Sequence, residues 1–225
     1  MFAKPHVIRF GSVALVAPDA EAPITQRNGG ACADPSAPLL QIADLLKAST
    51  DVSVVVLSLP GGDALCRSVP ANWHNVLATW SALRITTIAA LGGTLAATDV
   101  ALAAVLDFRI AARNTVLTAY CCGATPRCLH PRLAETCSQI RSFELSPHHP
   151  IRAPEALMAG LVDTIVAPGQ TVNEALKWGQ RIAGRPDTMR IMAKLAIRGR
   201  GHLASAAAEA LVDCPIATQD QKTGT

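Results

Sequence analysis

The chain has 225 residues, half of them hydrophobic and 16% charged, with 20 Lys+Arg against 17 Asp+Glu for a formal net charge of +3. An ordinary soluble domain carries about 25% charged residues, so this one is too apolar for disorder and too weakly charged for the basic stripe of a nucleic-acid platform. Length predicts one domain with a sizeable core, and the scarcity of charge predicts further surface hidden in a homo-oligomer.

Taken in order, residues 6–17 read as a strand or the start of a hairpin, with Val7, Ile8, Val13 and Leu15 apolar. Residues 21–36 mix Pro, Gly and Asn and read as a loop. Leu39, Leu40, Ile42, Leu45 and Leu46 recur at helical spacing, with Asp44 and Lys47 on the other side. Residues 51–59 form a β-branched run of the kind buried on both faces of a parallel sheet, and Leu59-Pro-Gly-Gly-Asp closes it as a turn. Residues 72–83 predict a helix, 86–91 a short buried strand, and Gly92-Gly93 a loop. Thr98 or Asp99 can cap the next helix, residues 100–106, and residues 107–112 return as a strand.

From residue 120 to 150 the periodicity weakens among prolines and paired histidines, which predicts irregular or only partly helical chain. Residues 154–160 read as a short helix opening on Pro154 and closing on Gly160, and 161–166 as a strand. Residues 171 to about 210 are mostly helical in pattern, and the last dozen look frayed. No internal repeat and no dividing linker is visible, so residues 1–165 and 166–225 are expected to be core and helical tail of one domain.

Lys4 and Arg9 interrupt the first ten residues, and the most apolar stretch, 86–112, is broken by Gly92, Gly93, Asp99 and Asp107. Neither a signal peptide nor a membrane span is expected, which points to the cytoplasm. The seven cysteines are odd in number and lack repeating spacing, as expected of free thiols in a reducing compartment. Cys121, Cys122, Cys128 and Cys137 cluster in sequence without a CxxC pair, so no zinc site is expected.

Three segments then carry a resemblance. Residues 87–112, Thr-Ile-Ala-Ala-Leu-Gly-Gly-Thr-Leu-Ala-Ala-Thr-Asp-Val-Ala-Leu-Ala-Ala-Val-Leu-Asp-Phe-Arg-Ile-Ala-Ala, are similar without a gap to the strand, glycine turn, helix and Asp-x-Arg-x-Ala-Ala strand of the crotonase (enoyl-CoA hydratase/isomerase) superfamily. Residues 52–68, with Val-Val-Val-Leu and then Ala64-Leu-Cys, resemble its strand and "AFCAG" loop. Residues 153–166, with Pro-Glu-Ala and Gly-Leu-Val-Asp, resemble its late helix and strand. The resemblance implies an α/β spiral of ββα units whose helical C-terminal part packs against a neighbouring subunit in a trimer or hexamer.

It also implies an oxyanion hole, in which two backbone N–H groups grip a thioester carbonyl and stabilise the enolate. The first aligns with Val69 and the second with Thr98. A helix N-terminus supplies free N–H groups and a positive dipole end, which supports Thr98 on physical grounds alone. The implied substrate is an acyl group on CoA or on the phosphopantetheine arm of an acyl-carrier protein, with no further cofactor, metal, nucleic acid or membrane.

The departures are informative. Ala97-Thr98-Asp99 stands where the family usually reads Gly-Gly-Gly, and Arg67-Ser68 where it reads Ala-Gly. The two glutamates with which hydratases activate water align with Ala101 and Cys121, so hydration has no carboxylate pair to run it. Residues 117–126 resemble a stretch of the crotonase-like decarboxylases of polyketide β-branching cassettes through Thr118, Gly123, Thr125 and Pro126, although the lysine usual in those enzymes just past the first oxyanion turn is absent, with Ala71-Asn72 in its place. The expected chemistry is decarboxylation, isomerisation or another tailoring step, of lyase or isomerase type, in secondary metabolism. The rival is a non-catalytic scaffold subunit that has lost its glutamates.

Beside Val69 and Thr98, five residues are candidates. Asp99 either handles a substrate proton or is a first-turn helix carboxylate. Cys121 is a nucleophile or a small buried hydrophobe. Tyr120 is a proton donor or a packed ring with a bonded hydroxyl. His74 lines the pocket or sits on an exposed helix face, and Arg67 meets carrier phosphates or only water.

Overall fold

The computed structural model describes residues 6–17, 36–61, 70–118 and 150–199. Val13–Ala17 (β2) pairs antiparallel with His6–Phe10 (β1) across a turn at Gly11, as the hairpin pattern predicts. Ser36–Ala48 (α1) leads into Val54–Leu59 (β3), Trp73–Ser81 (α2) into Thr86–Leu91 (β4), and Ala97–Val105 (α3) into Phe108–Ala112 (β6). The main sheet runs β1-β2-β3-β4-β6-β9, with Thr164–Val166 as β9, and every pairing after the hairpin is parallel. The repeated strand–helix–strand order, with its obligatory crossovers, is what makes the sheet parallel.

Side chains divide by parity, because successive residues of a strand point to opposite faces. Val55, Leu57, Leu59, Ala89, Leu91 and Ala111 join a buried cluster with α1, α2 and α3. Val54, Val56, Ile88, Ala90, Phe108 and Ile110 join another with Thr171–Ala183 (α5), where Phe108 and Trp178 meet edge to face at 5.9 Å. Both faces of β3, β4 and β6 are therefore covered, which is why their sequences are unbroken apolar runs rather than alternating ones.

A second, three-stranded sheet of Thr94–Leu95 (β5), Val116–Leu117 (β7) and Ile151–Arg152 (β8) stands beside the first. Ala153–Met158 (α4) follows β8, with Pro154 in its first turn, Glu155 Oε2 accepting the Arg152 N–H at 3.0 Å, and Gly160 reversing the chain at φ +70°.

Three expectations shift. The helix predicted over 100–106 starts earlier, at Ala97, with Ala96 at the cap position, so Thr98 and Asp99 lie inside its first turn and cap nothing from outside. Asp107 precedes strand β6 instead of belonging to it. The tail expected as one helical stretch is interrupted at Gly184-Arg185-Pro186, because proline cannot continue the preceding helix, and resumes as Asp187–Gly199 (α6). Residues 120–149, expected to be irregular, lie outside the described residues.

Buried polar ties fix these parts. Asp107 accepts hydrogen bonds from the Thr87 N–H and hydroxyl, both at 2.9 Å, and forms a buried ion pair with Lys194 of α6 at 2.6 Å. Lys194 also donates to the Ile85 carbonyl. Arg109 is held twice by Asp163, through its backbone N–H at 2.6 Å and its guanidinium at 3.2 Å.

Candidate active site

In parallel sheets, ligands bind outside the carboxyl ends of the strands. Here those ends are two turns pressed backbone to backbone. The Gly92 N–H donates to the Leu59 carbonyl at 2.9 Å. Gly61 and Gly93 have φ of +68° and +59°, a region that L side chains rarely adopt. A Cβ on Gly61 would stand 2.6 Å from the Thr94 carbonyl oxygen, and one on Gly93 would stand 2.7 Å from that of Pro60. The glycines are required by this contact, and it brings the segment after β3 alongside the approach to α3.

Helix α3 begins at that junction. Its first intrahelical bond runs from the Val100 N–H to the Ala96 carbonyl at 3.0 Å. The N–H groups before it have no such partner, and alanine at the cap position offers no side-chain acceptor. The one carboxylate at hand, Asp99, reaches back to the Ala96 N–H at 3.2 Å. Among the described residues no acceptor meets the Ala97 and Thr98 amides, although both residues are buried, at 4% and 7% exposure. The first amides of a helix are met by a side chain, water or a ligand, and none of the described side chains serves these two.

Burial pushes the Asp99 carboxyl above its ordinary range, and the hydrogen bond from Ala96 pulls partly the other way. Of its two readings the structure shows the first-turn helix carboxylate, which follows the candidate donor Thr98 in sequence. Ala101, expected from the resemblance to stand at the first glutamate position, is 1% exposed and carries no titratable group.

The remaining candidates separate. His74 is exposed on α2. Arg67, Val69, Tyr120 and Cys121 lie outside the described residues, as do the other cysteines. Among the described residues no group of three His, Cys, Asp or Glu side chains could hold a metal ion, and no helix is long and apolar enough to cross a membrane. One polar group leaves little trace in the sequence: the Trp73 indole N–H, buried at the start of α2 without an acceptor among the described residues. Its one sequence signal is position, an aromatic just after the loop that resembles "AFCAG".

Solved structures place this architecture among the crotonase folds. A monofunctional enoyl-CoA isomerase from M. smegmatis is 24% identical, with a TM-score of 0.71 over 93% of this chain and 98% of that one. An enoyl-CoA hydratase from Bacillus anthracis is 21% identical, with a TM-score of 0.70 over 97% and 93%. An enoyl-CoA hydratase from Mycobacterium smegmatis is 20% identical, with a TM-score of 0.71 over 96% and 92%. At such identity the likeness is one of fold. A sequence profile described as enoyl-CoA hydratase/isomerase matches residues 63–214, more than half of the chain. The chain belongs to the enoyl-CoA hydratase/isomerase family. No curated protein matches it by sequence.

Proposed function

We propose that the protein acts on an acyl-thioester, carried by CoA or an acyl-carrier protein, by holding the thioester oxygen in an oxyanion hole. The Thr98 amide is one donor and the Val69 amide the other. The observation that carries this reading is the first turn of α3, where the Ala97 and Thr98 amides meet no acceptor among the described residues and the Asp99 carboxylate is turned back on Ala96. As charge moves onto the thioester oxygen, fixed donors in a water-poor site stabilise the enolate without having to reorganise.

The reaction class follows from what the turn lacks. With Ala101 in the first glutamate position, addition of water lacks the carboxylate pair that would run it, whereas loss of CO2 beside a thioester yields the enolate directly. We therefore read the enzyme as a decarboxylase or isomerase of secondary metabolism, with Tyr120 or Asp99 as proton donor, Cys121 in the adjoining loop, His74 at the rim and Arg67 toward the carrier phosphates. The second reading, a non-catalytic scaffold subunit, is favoured by that same alanine.

Incubation with a panel of CoA and carrier-protein thioesters, followed by mass spectrometry, separates the two. Turnover supports the enzyme, while no turnover together with no CoA-dependent thermal shift supports the scaffold. The proposed assembly is a cytoplasmic homotrimer or hexamer. Met189 and Met192, one turn apart on α6, are exposed at 46% and 69% and offer an apolar patch to a neighbouring subunit. Light scattering of a monodisperse monomer would refute the assembly.

A further inference from the structure

The three tryptophans differ in what their indole N–H groups meet. Trp80 donates to the Leu39 carbonyl at 3.2 Å, and Trp178 donates to Glu174 at 3.2 Å. The Trp73 Nε1 is sealed from solvent and has no acceptor among the described residues, in a side chain only 2% exposed. A buried indole N–H usually has a partner, because a donor taken out of water and left unpaired carries its full desolvation penalty. An orphan of this kind calls for an explanation in terms of what else reaches it.

Its place in the chain supplies one. Trp73 is the first residue of α2, four positions after Val69. It belongs to the same buried cluster as Leu95, Val100 and Ala101, which flank Thr98 in sequence on both sides. The other indole of that cluster, Trp80, is bonded to Leu39, so Trp73 brings to it the indole N–H that lacks an acceptor among the described residues.

We propose that the Trp73 indole N–H selects the acyl group, by pairing with an oxygen that the acyl chain carries beyond its thioester carbonyl. The inference rests on the acyl-thioester reading above. There the two backbone amides are taken up by the thioester oxygen, so a third donor calls for a second acceptor. The β-carboxylate of a malonyl-type thioester and the β-carbonyl of a 3-oxoacyl thioester both supply one. A plain aliphatic chain supplies none and leaves the donor unpaired in the complex.

The test is calorimetric binding of malonyl-CoA, acetoacetyl-CoA and butyryl-CoA to the full chain. Three proteins are compared: wild type, Trp73→Phe, and a protein with benzothienylalanine at position 73, which puts sulfur in place of the N–H at nearly the same outline. The expected result is about tenfold weaker binding of an oxygen-bearing thioester in both variants, the size of one hydrogen bond, with butyryl-CoA changed by less than about twofold. The thermal midpoint of the isostere should be unchanged or raised, since an unsatisfied donor has been removed. Loss confined to malonyl-CoA assigns the carboxylate, and loss with acetoacetyl-CoA assigns the carbonyl. Equal weakening of all three ligands, no weakening, or a lowered midpoint for the isostere overturns the donor role and makes Trp73 a packing residue, with the thioester reading intact. Failure of the wild type to bind any of the three refutes the thioester reading, and this inference with it.

Discussion

Replacing Lys194 with methionine tests how the C-terminal helix α6 is held. The Lys194 side chain is 7% exposed and its partner Asp107 0%, with Nζ and Oδ2 2.6 Å apart. Methionine keeps most of the stem's length and apolar packing but removes the cation. Asp107 then keeps its bonds from Thr87, at 2.9 Å each, and loses the Lys194 cation in a buried site. Removing one partner of a buried pair costs about 3–5 kcal/mol, whereas an exposed pair is worth about 0–1 kcal/mol. At about 2–4 °C per kcal/mol for a chain of this size, the thermal midpoint should fall by about 6–20 °C. Urea unfolding of Lys194→Met, Asp107→Asn and the double variant completes a thermodynamic cycle. The double variant should recover much of the loss, because a neutral amide no longer needs the cation, and the coupling should exceed about 2 kcal/mol. A Lys194→Met cost below about 1 kcal/mol, or strictly additive losses, would refute a buried, mutually dependent pair.

Two further outcomes concern the first turn of α3. Thr98→Pro deletes the candidate donor N–H, so turnover of whichever thioester is a substrate should fall by about 10²–10³, with Thr98→Gly near wild type; equal activity of the proline variant would sink the assignment. Asp99 has a folded-state pKa above its unfolded one, so the stability of its protonated form is present below the ordinary carboxylate range and is lost as pH rises through the folded value. Asp99→Asn stays neutral at every pH. Its stability relative to wild type should therefore climb from acid to neutral pH, and a flat or falling difference in urea midpoint against pH would contradict the burial argument.

The parallel strands were readable in the sequence because a strand covered on both faces needs a continuous apolar run, and β3, β4 and β6 have one. The two-residue strands β5, β7 and β8 leave no periodic trace, so the second sheet was invisible. The start of α3 was misplaced for a chemical reason. Thr and Asp are strong cap residues, yet here the Asp99 carboxylate finds the Ala96 N–H from within the helix, and an alanine takes the cap position. The Thr98 placement came from alignment and from helix-end physics together. The orphan Trp73 donor and the Lys194–Asp107 pair arise from contacts distant in sequence, the latter 87 positions apart, and no local pattern announces them.

The clasp between Arg109 and Asp163 has a consequence for how proteins of this kind are recognised. The Asp-x-Arg and Gly-Leu-Val-Asp stretches drew attention to the family, and their charged residues are occupied in joining β6 to the turn before β9 and in anchoring α6. None of them is free to meet a substrate. Those letters are therefore explained by the fold they hold together, whatever the residues of the first turns of α3 do. A match to such letters speaks for architecture, because each of them is already engaged in holding one element to another.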